Sequence, residues 1–378
     1  MIKKIVPVAL SMLLCLPLTG CWDYKGLDEL TVVAGLAVDK GKTDPSGFTI
    51  TLEIVDTGGS ASDAPKSTML ETEGPTIFQA IHNASAKLYS EVYFGNTDVL
   101  VVSKAVAEEQ GLNKVIDALL RDASTRDTLS ILISRGETAG EIITPHNPDD
   151  GIASYNISRI INQDTKSLNS ARVYDLMKVY NQLAGGRDNI ALPAFGLVED
   201  NGELWLKTQG AAIFSGDKLT GFAENWVVPY MLFVTENVAG GSYTFFMEDD
   251  QYATLSILTS KPKISFSRSG DSLTLHVDIK LNTSAIELSP NYTGFSGGDI
   301  AMLESRAATA LNAETKDVIN RIQEGSGSDI FGFGEAIYHR DPAYWSEIRD
   351  DWKEIFRSAE IVVNSDFTIS DTGHIKNY

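Results

Sequence analysis

Leu30-Thr31-Val32-Val33-Ala34-Gly35-Leu36-Ala37-Val38-Asp39, then Asp44-Pro45-Ser46-Gly47, then Phe48 to Ile54, is the stretch from which the fold class is read. The first segment is a continuous apolar run of strand length. In the last, Phe48, Ile50, Leu52 and Ile54 alternate with polar residues, so two sheet strands are joined through the Asp44–Gly47 turn. Moving outward, Thr57 to Ser67 is mostly Gly, Ser, Ala and Asp and reads as a loop. Ile77, Ile81, Ala84 and Leu88 recur at helical spacing, Asp98–Ser103 is a short buried strand, and Leu112, Val115, Ile116 and Leu119 form a helix face before the strand Leu129–Ser134. This alternation predicts a mixed sheet with helices packed on it. Two more helical patterns follow, around Ile152–Ile161 and at Val173, Leu176, Met177, Tyr180 and Leu183, the second ended by Gly185-Gly186.

Beyond Arg187 the pattern changes. Ala194–Val198 and Leu204–Lys207 flank Asn201-Gly202, and Ala211–Phe214 and Leu219–Phe222 flank Ser215-Gly216-Asp217, which predicts two hairpins. Strands follow at Ala253–Leu258 and Lys263–Ser267, and Leu273, Leu275, Val277, Ile279 and Leu281 share one face of a longer one. Helix returns in the apolar stripe Leu303, Ala307, Ala310, Leu311, Val318 and Ile322. Asp341-Pro342 then opens another helix, expected to bury Trp345, Ile348, Trp352, Ile355 and Phe356 on one side, and Ile361–Ile369 is a final strand. The class expected is α+β in three domains, with mixed sheets and packed helices: 21–190 of α/β type, 191–260 strand-rich, and 261–378 helix plus sheet.

Residues 1–20 read as an export signal. Met1-Ile2-Lys3-Lys4 is a positive start and Ile5–Leu18 is an apolar run of 14 residues containing Pro7 and Pro17, short of the ~20 that span a bilayer. Leu18-Thr19-Gly20-Cys21 places small residues ahead of a cysteine, the pattern of a bacterial lipoprotein in which Cys21 is both cleavage point and lipid acceptor. The chain carries 31 Lys+Arg against 51 Asp+Glu, and losing Lys3 and Lys4 takes its net charge from −20 to −22. Such a surface repels nucleic-acid phosphates and anionic headgroups, so attachment to a membrane falls to the acyl chains on Cys21. The only cysteines are Cys15 and Cys21, so the processed chain has neither thiol nor disulfide, and its stability rests on buried apolar surface.

The sequence carries few groups arranged for chemistry. His82, His146, His276, His339 and His374 show no i, i+4 pair and no cysteine partner for a metal. Gly332-Phe333-Gly334 lacks a third glycine and follows no strand, and no glycine-lysine phosphate loop is present. Asp149-Asp150, Asp249-Asp250 and Asp350-Asp351 read as solvated faces of an acidic chain. Gly294-Phe295-Ser296-Gly297-Gly298 fits the nucleophile-elbow pattern, with Asp341 or Asp366 and then His374 in order. The elbow requires a strand immediately before it, and Ser289–Thr293 intervenes, so a loop leading to Asp299 as a helix N-cap is the favoured reading.

Several motifs together carry a family resemblance. Cys21-Trp22-Asp23 and Leu27-Asp28-Glu29-Leu30 lead into the first strand, Phe94-Gly95-Asn96 precedes Asp98–Ser103, and Leu120-Arg121-Asp122 and Arg126 follow the next helix. Gly210-Ala211-Ala212-Ile213-Phe214 precedes Asp217-Lys218-Leu219, and Asp329-Ile330-Phe331-Gly332-Phe333-Gly334-Glu335 precedes Trp345 and Trp352. The chain resembles the Ger(x)C, or GerAC-like, lipoproteins, the C subunits of spore germinant receptors, departing mainly in Gly26, where a charged residue is common.

Each motif also has a structural reading. The tryptophans sit seven apart on a helix and face the core, the glycines allow close packing or a kinked helix start, and Arg121, Asp122 and Arg126 form a salt-bridge set. The resemblance implies a three-domain α+β protein whose N- and C-terminal family regions meet near 200–210. It also implies a non-catalytic subunit without cofactor or metal, lipid-anchored at Cys21 to the outer face of the spore inner membrane. Its partners would be a membrane-embedded A-type and a transporter-like B-type receptor subunit, with no nucleic acid. The alternatives are a solute-binding lipoprotein of an importer, which needs two similar α/β lobes around a cleft, and an exported serine hydrolase acting through Ser296.

Overall fold

A computed structural model describes residues 26, 29–56, 66–88, 90–146, 151–168, 170–184, 190–247, 251–270, 272–289 and 297–371. The two segments that open the sequence reading become β1 (Leu30–Lys40) and β2 (Phe48–Val55). They pair antiparallel, with Val38 opposite Ile50. With β3 (Ser67–Gly74), β4 (Glu91–Tyr93), β5 (Val99–Ser103), β6 (Ser130–Ser134), β7 (Ala191–Asp200), β8 (Glu203–Ser215) and β9 (Lys218–Ala223) they build a nine-stranded sheet. Its order is β3-β2-β1-β5-β6-β7-β8-β9, and β4 pairs with the start of β1. The centre, β1, β5, β6 and β7, is parallel, while the flanks are antiparallel.

The continuous apolar runs of the central strands arise because both faces are covered. Leu36, Val38, Leu100, Val102, Ile131 and Ile133 pack with α1 (Ile77–Ser85), α2 (Leu112–Leu120) and α5 (Leu176–Ala184). Their neighbours Ala37, Val99, Val101 and Leu132 pack on the other face with α3 (Gly140–Ile143) and α4 (Ala153–Lys166). A two-residue period thus buries both sets.

A second sheet has four strands, β10 (Ser242–Phe246), β11 (Tyr252–Ser269), β12 (Ser272–Leu288) and β13 (Glu360–Asp371), in sequence order, with β12 and β13 parallel. One face is apolar: Leu273, Leu275, Val277, Ile279 and Leu281 are buried, and Ile361, Val363, Phe367 and Ile369 extend that surface. Onto it pack α6 (Val228–Thr235), α7 (Gly297–Glu324), α8 (Phe333–Arg340) and α10 (Trp352–Ser358), with α9 (Pro342–Ile348) between the last two. Helix α7 guards the β13 edge, where the Glu304 carboxylate accepts the Ile369 amide at 2.8 Å.

The expected α+β class, with mixed sheets and a C-terminal unit of helices plus sheet, is what the structure shows. Individual elements differ. Strand β3 starts at Ser67, where the stretch read as a loop ends, and continues through residues for which no element is predicted: it is a half-buried edge strand whose polar sequence, Ser-Thr-Met-Leu-Glu-Thr-Glu-Gly, pairs only with β2. The segments Leu204–Lys207 and Ala211–Phe214 belong to one strand, β8. Likewise β11 runs straight through Pro262, which opposes Ile279; β10 pairs only with Tyr252–Ser256, so the missing amide hydrogen faces no second neighbour there. The strands of 191–260 are shared out, β7 to β9 to the first sheet and β10 with the first half of β11 to the second. The helix expected after Asp341 is two, α9 and α10, separated by a 3₁₀ turn at Arg349–Asp351.

Candidate functional site at the junction of the two sheets

Strand β8 is the wall between the two cores. Ala212 and Phe214 face the helices of the first sheet, whereas Ala211 and Ile213 face the core of the second. Alternation along Gly210-Ala211-Ala212-Ile213-Phe214 thus fills two cores with one strand. Small side chains at 211 and 212 let both layers approach, and Gly210, at φ +87°, allows the Ala223 carbonyl to lie where a Cβ would stand. The turn beyond it is pinned to the first sheet: the Asp217 carbonyl accepts the Leu112 amide at 2.9 Å and the Lys218 ammonium donates to the Glu109 carbonyl at 2.6 Å.

Beside this wall a shallow pocket is lined by Arg172, Tyr174, Ala191, Met231, Leu232 and Ile330, so β7 of the first sheet and helix α6 of the second core both contribute. At its edge the Arg172 guanidinium meets the Glu236 carboxylate at 2.5 Å and lies 5.2 Å from the centre of the Tyr174 ring. Burial raises the Glu236 carboxyl, and Arg172 opposes that shift; burial also raises the Tyr174 phenol. On the far side of α6, the Tyr230 and Tyr243 hydroxyls donate to the same Glu314 oxygen at 2.9 and 2.8 Å, and burial, followed by the charge of Glu314, pushes both phenols above their ordinary range. Every charged group here has a partner, an arrangement that fixes geometry and presents no activated nucleophile.

The Asp329–Glu335 motif and the two tryptophans form a second node. Asp329 is 6% exposed; its Oδ1 accepts the amides of Gly332 and Phe333 at 3.0 and 3.1 Å, and its Oδ2 accepts the Gly334 amide at 2.7 Å and the Trp352 indole N–H at 3.2 Å. The carboxylate therefore caps the N-terminus of α8 and fastens α10 to it. Burial drives its pKa up and the four donors pull against that. Gly334 is required by close approach, since a Cβ there would lie 2.7 Å from the Trp345 ring and 2.9 Å from the Trp352 nitrogen. The indoles meet edge to face at 5.5 Å, so both tryptophans serve packing as expected, although a 3₁₀ turn separates their helices.

Arg121, Asp122 and Arg126 do not form one set. Arg121 pairs with Asp117 at 2.9 Å, Arg126 faces Asp98 at 3.8 Å, and Asp122 accepts the Ser124 amide and hydroxyl in a local turn. Each position turned toward a different neighbour because the chain leaves the helix at Arg121. The anchor residue Cys21, the serine and histidine of the hydrolase reading, Ser296 and His374, and the pairs Asp149-Asp150 and Asp249-Asp250 lie outside the described residues. Of the carboxylates offered for that reading, Asp341 accepts the Tyr344 amide as the cap of α9, and Asp366 stands in β13 opposite Lys280. Among the described residues no group of three or more His, Cys, Asp or Glu is placed to hold a metal, and no helix is long and apolar enough to cross a membrane. The two sheets differ in strand number, order and direction, unlike the paired lobes of an importer's binding protein.

Comparison with known proteins follows this division of the fold. A family model described as spore germination protein N-terminal domain matches residues 23–197, and one described as spore germination B3/GerAC like, C-terminal, matches 209–373, so the join falls within β7–β8. Spore germination protein KC of Bacillus subtilis (strain 168) is 25% identical, covering 99% of this chain and 97% of that protein. Spore germination protein B3 of the same organism is 23% identical, covering 95% and 96%. The crystal structure of the GerBC protein superposes with a TM-score of 0.59 at 19% identity, covering 89% of this chain and 97% of that one, and shows that the fold is shared. The chain belongs to the GerAC-like family of spore germination proteins.

Proposed function

We propose that this chain is the lipid-anchored, non-catalytic C subunit of a spore germinant receptor, held by acyl chains on Cys21 at the outer face of the spore inner membrane. In that setting it acts with a membrane-embedded A-type subunit and a transporter-like B-type subunit in the response to nutrients. The observation that carries this reading is the pair of family matches, which together run from residue 23 to residue 373 in the family's order. The junction supports it, because the charged groups there are partnered and serve architecture.

Replacing Cys21 with Ala in the native host is the test. The expected result is loss of the protein from the membrane fraction and a slower, weaker germination response to nutrients, with the response to non-nutrient triggers unchanged. A C21A protein that stays with the membrane and supports full germination overturns the anchored reading. Affinity capture of the wild-type protein from spore membranes should bring down two multispanning subunits.

A further inference from the structure

We infer that one end of the nine-stranded sheet, formed by the loops 93–98 and 121–129 around the start of β1, is the face this protein turns toward the lipid headgroups. The inference rests on the anchored reading and adds an orientation to it. Gly26 stands five residue steps beyond Cys21, and its carbonyl accepts the Glu29 amide at 3.0 Å just ahead of β1. A chain of that length reaches at most about 18 Å, so acyl chains on Cys21 hold Gly26, four residues ahead of β1, within that distance of the bilayer surface.

The described contacts show what surrounds that beginning. Leu30 and Val32 pair with Glu91 and Tyr93, the Thr97 hydroxyl donates to the Val33 carbonyl at 2.9 Å, and the Asp98 amide donates to the Ala34 carbonyl at 2.9 Å. The 121–129 loop is fixed to the same end, through the Ser124 hydroxyl on the Phe94 amide and Arg126 facing Asp98. Asn96, Arg121, Arg126, Asp127 and Thr128 are exposed there.

The opposite end is equally well defined. β1 ends at Lys40, which pairs with Glu109 at 2.5 Å, and the Gln110 amide donates to the carbonyls of Pro45 and Gly47 at 3.1 and 3.2 Å, tying the β1–β2 turn to the π-helical turn at Val106–Gln110. Ten strand steps at about 3.3 Å each carry β1 about 33 Å from Leu30 to Lys40, nearly twice the reach of the tether, and Ser46 lies in the turn at that far end. With its negative surface repelling anionic headgroups, the body gains nothing by lying flat. An upright stance turns the loops nearest the tether toward the lipid.

The processed chain has no cysteine besides Cys21, so a thiol-directed fluorophore reports a single introduced site. The full-length acylated protein, with Asn96→Cys or Ser46→Cys, is reconstituted in phosphatidylethanolamine–phosphatidylglycerol vesicles carrying a nitroxide on the lipid headgroup. Both variants should float with the vesicles, and quenching at position 96 should exceed that at 46 at least threefold. Flotation with equal quenching, or with stronger quenching at 46, overturns the orientation while leaving the anchor intact. Failure of the acylated protein to float overturns the anchored reading and the orientation with it.

Discussion

The two sheets solve the same burial problem differently. In the first, helices cover both faces, so the residues between the apolar ones are buried as well: Thr49, Thr51 and Glu53 are 1%, 7% and 0% exposed. In the second, helices cover one face, and Thr274, His276, Asp278, Lys280 and Asn282 lie on the other side of β12 from its buried leucines and valines. The consequence is electrostatic. The doubly covered sheet must satisfy polar groups inside its layers, which it does by joining segments about a hundred residues apart: Asp39 to the amides of Ala139 and Gly140, and Glu53 to those of Ala153 and Ser154. In the core of the singly covered sheet, Glu314 accepts the Tyr230 and Tyr243 hydroxyls, and Asp329 is held by backbone donors within five residues of it.

The sharpest way to break this comparison is Asp329→Asn. Four donors converge on two carboxylate oxygens, and an amide would turn its NH₂ toward two of them. Leaving two buried donors without an acceptor costs about 3–5 kcal/mol. Thermal unfolding followed by tryptophan fluorescence should show the largest drop in Tm of any single carboxylate-to-amide change in the chain. A drop no larger than that of an exposed control would show that the node does not hold α8 and α10 together.

Glu53→Gln tests the other sheet and should cost less. Oε1 accepts the Ser67 hydroxyl and the Ala153 amide, each at 2.7 Å, and among the described residues Oε2 accepts the Ser154 amide alone, at 2.8 Å. A glutamine that keeps its oxygen on the first pair loses one donor, about 1–3 kcal/mol. The loss should be accompanied by faster amide hydrogen exchange in the first turn of α4, where Asp329→Asn has no effect. Exchange that speeds up equally in α4 and α8 for either variant would mean that the nodes are not separate.

The same contrast governs how much of the molecule was legible in the sequence. Leu273–Leu281 was read correctly because a sheet with one covered face writes its burial into the alternation, and β1 because its run is apolar throughout. Thr49, Thr51 and Glu53 carry the signature of a solvent-facing side, and only the helices α3 and α4, recruited from far along the chain, bury them. Strand β3 was invisible because an edge strand paired on one side tolerates a polar sequence. At the junction, the Gly210–Phe214 motif was legible as a strand, but that its two faces enter different cores depends on β7–β9 joining one sheet while packing against the other. The Asp329 motif was legible as tight packing around glycine and tryptophan, whereas the carboxylate at its centre was one acidic residue among 51.

The smallest expected effect separates buried carboxylates from overall charge. Burial raises Asp39 and Asp329 above the ordinary aspartate range, against the pull of their amide donors and, at Asp39, of the Ser103 hydroxyl. For an acid whose folded pKa is raised, the contribution to stability is fully present below the unfolded value and is lost as pH rises through the folded one. Tm measured between pH 4 and pH 8 should therefore decline toward the alkaline side. Relaxed repulsion among the 51 acidic residues gives the same sign, so the slope alone decides nothing. Asp39→Asn and Asp200→Asn remove the same unit of charge, the first from a buried site and the second from an exposed one. Asp39→Asn should flatten the decline and Asp200→Asn should leave it nearly as steep; equal flattening by both would assign the pH dependence to net charge and remove Asp39 from the account.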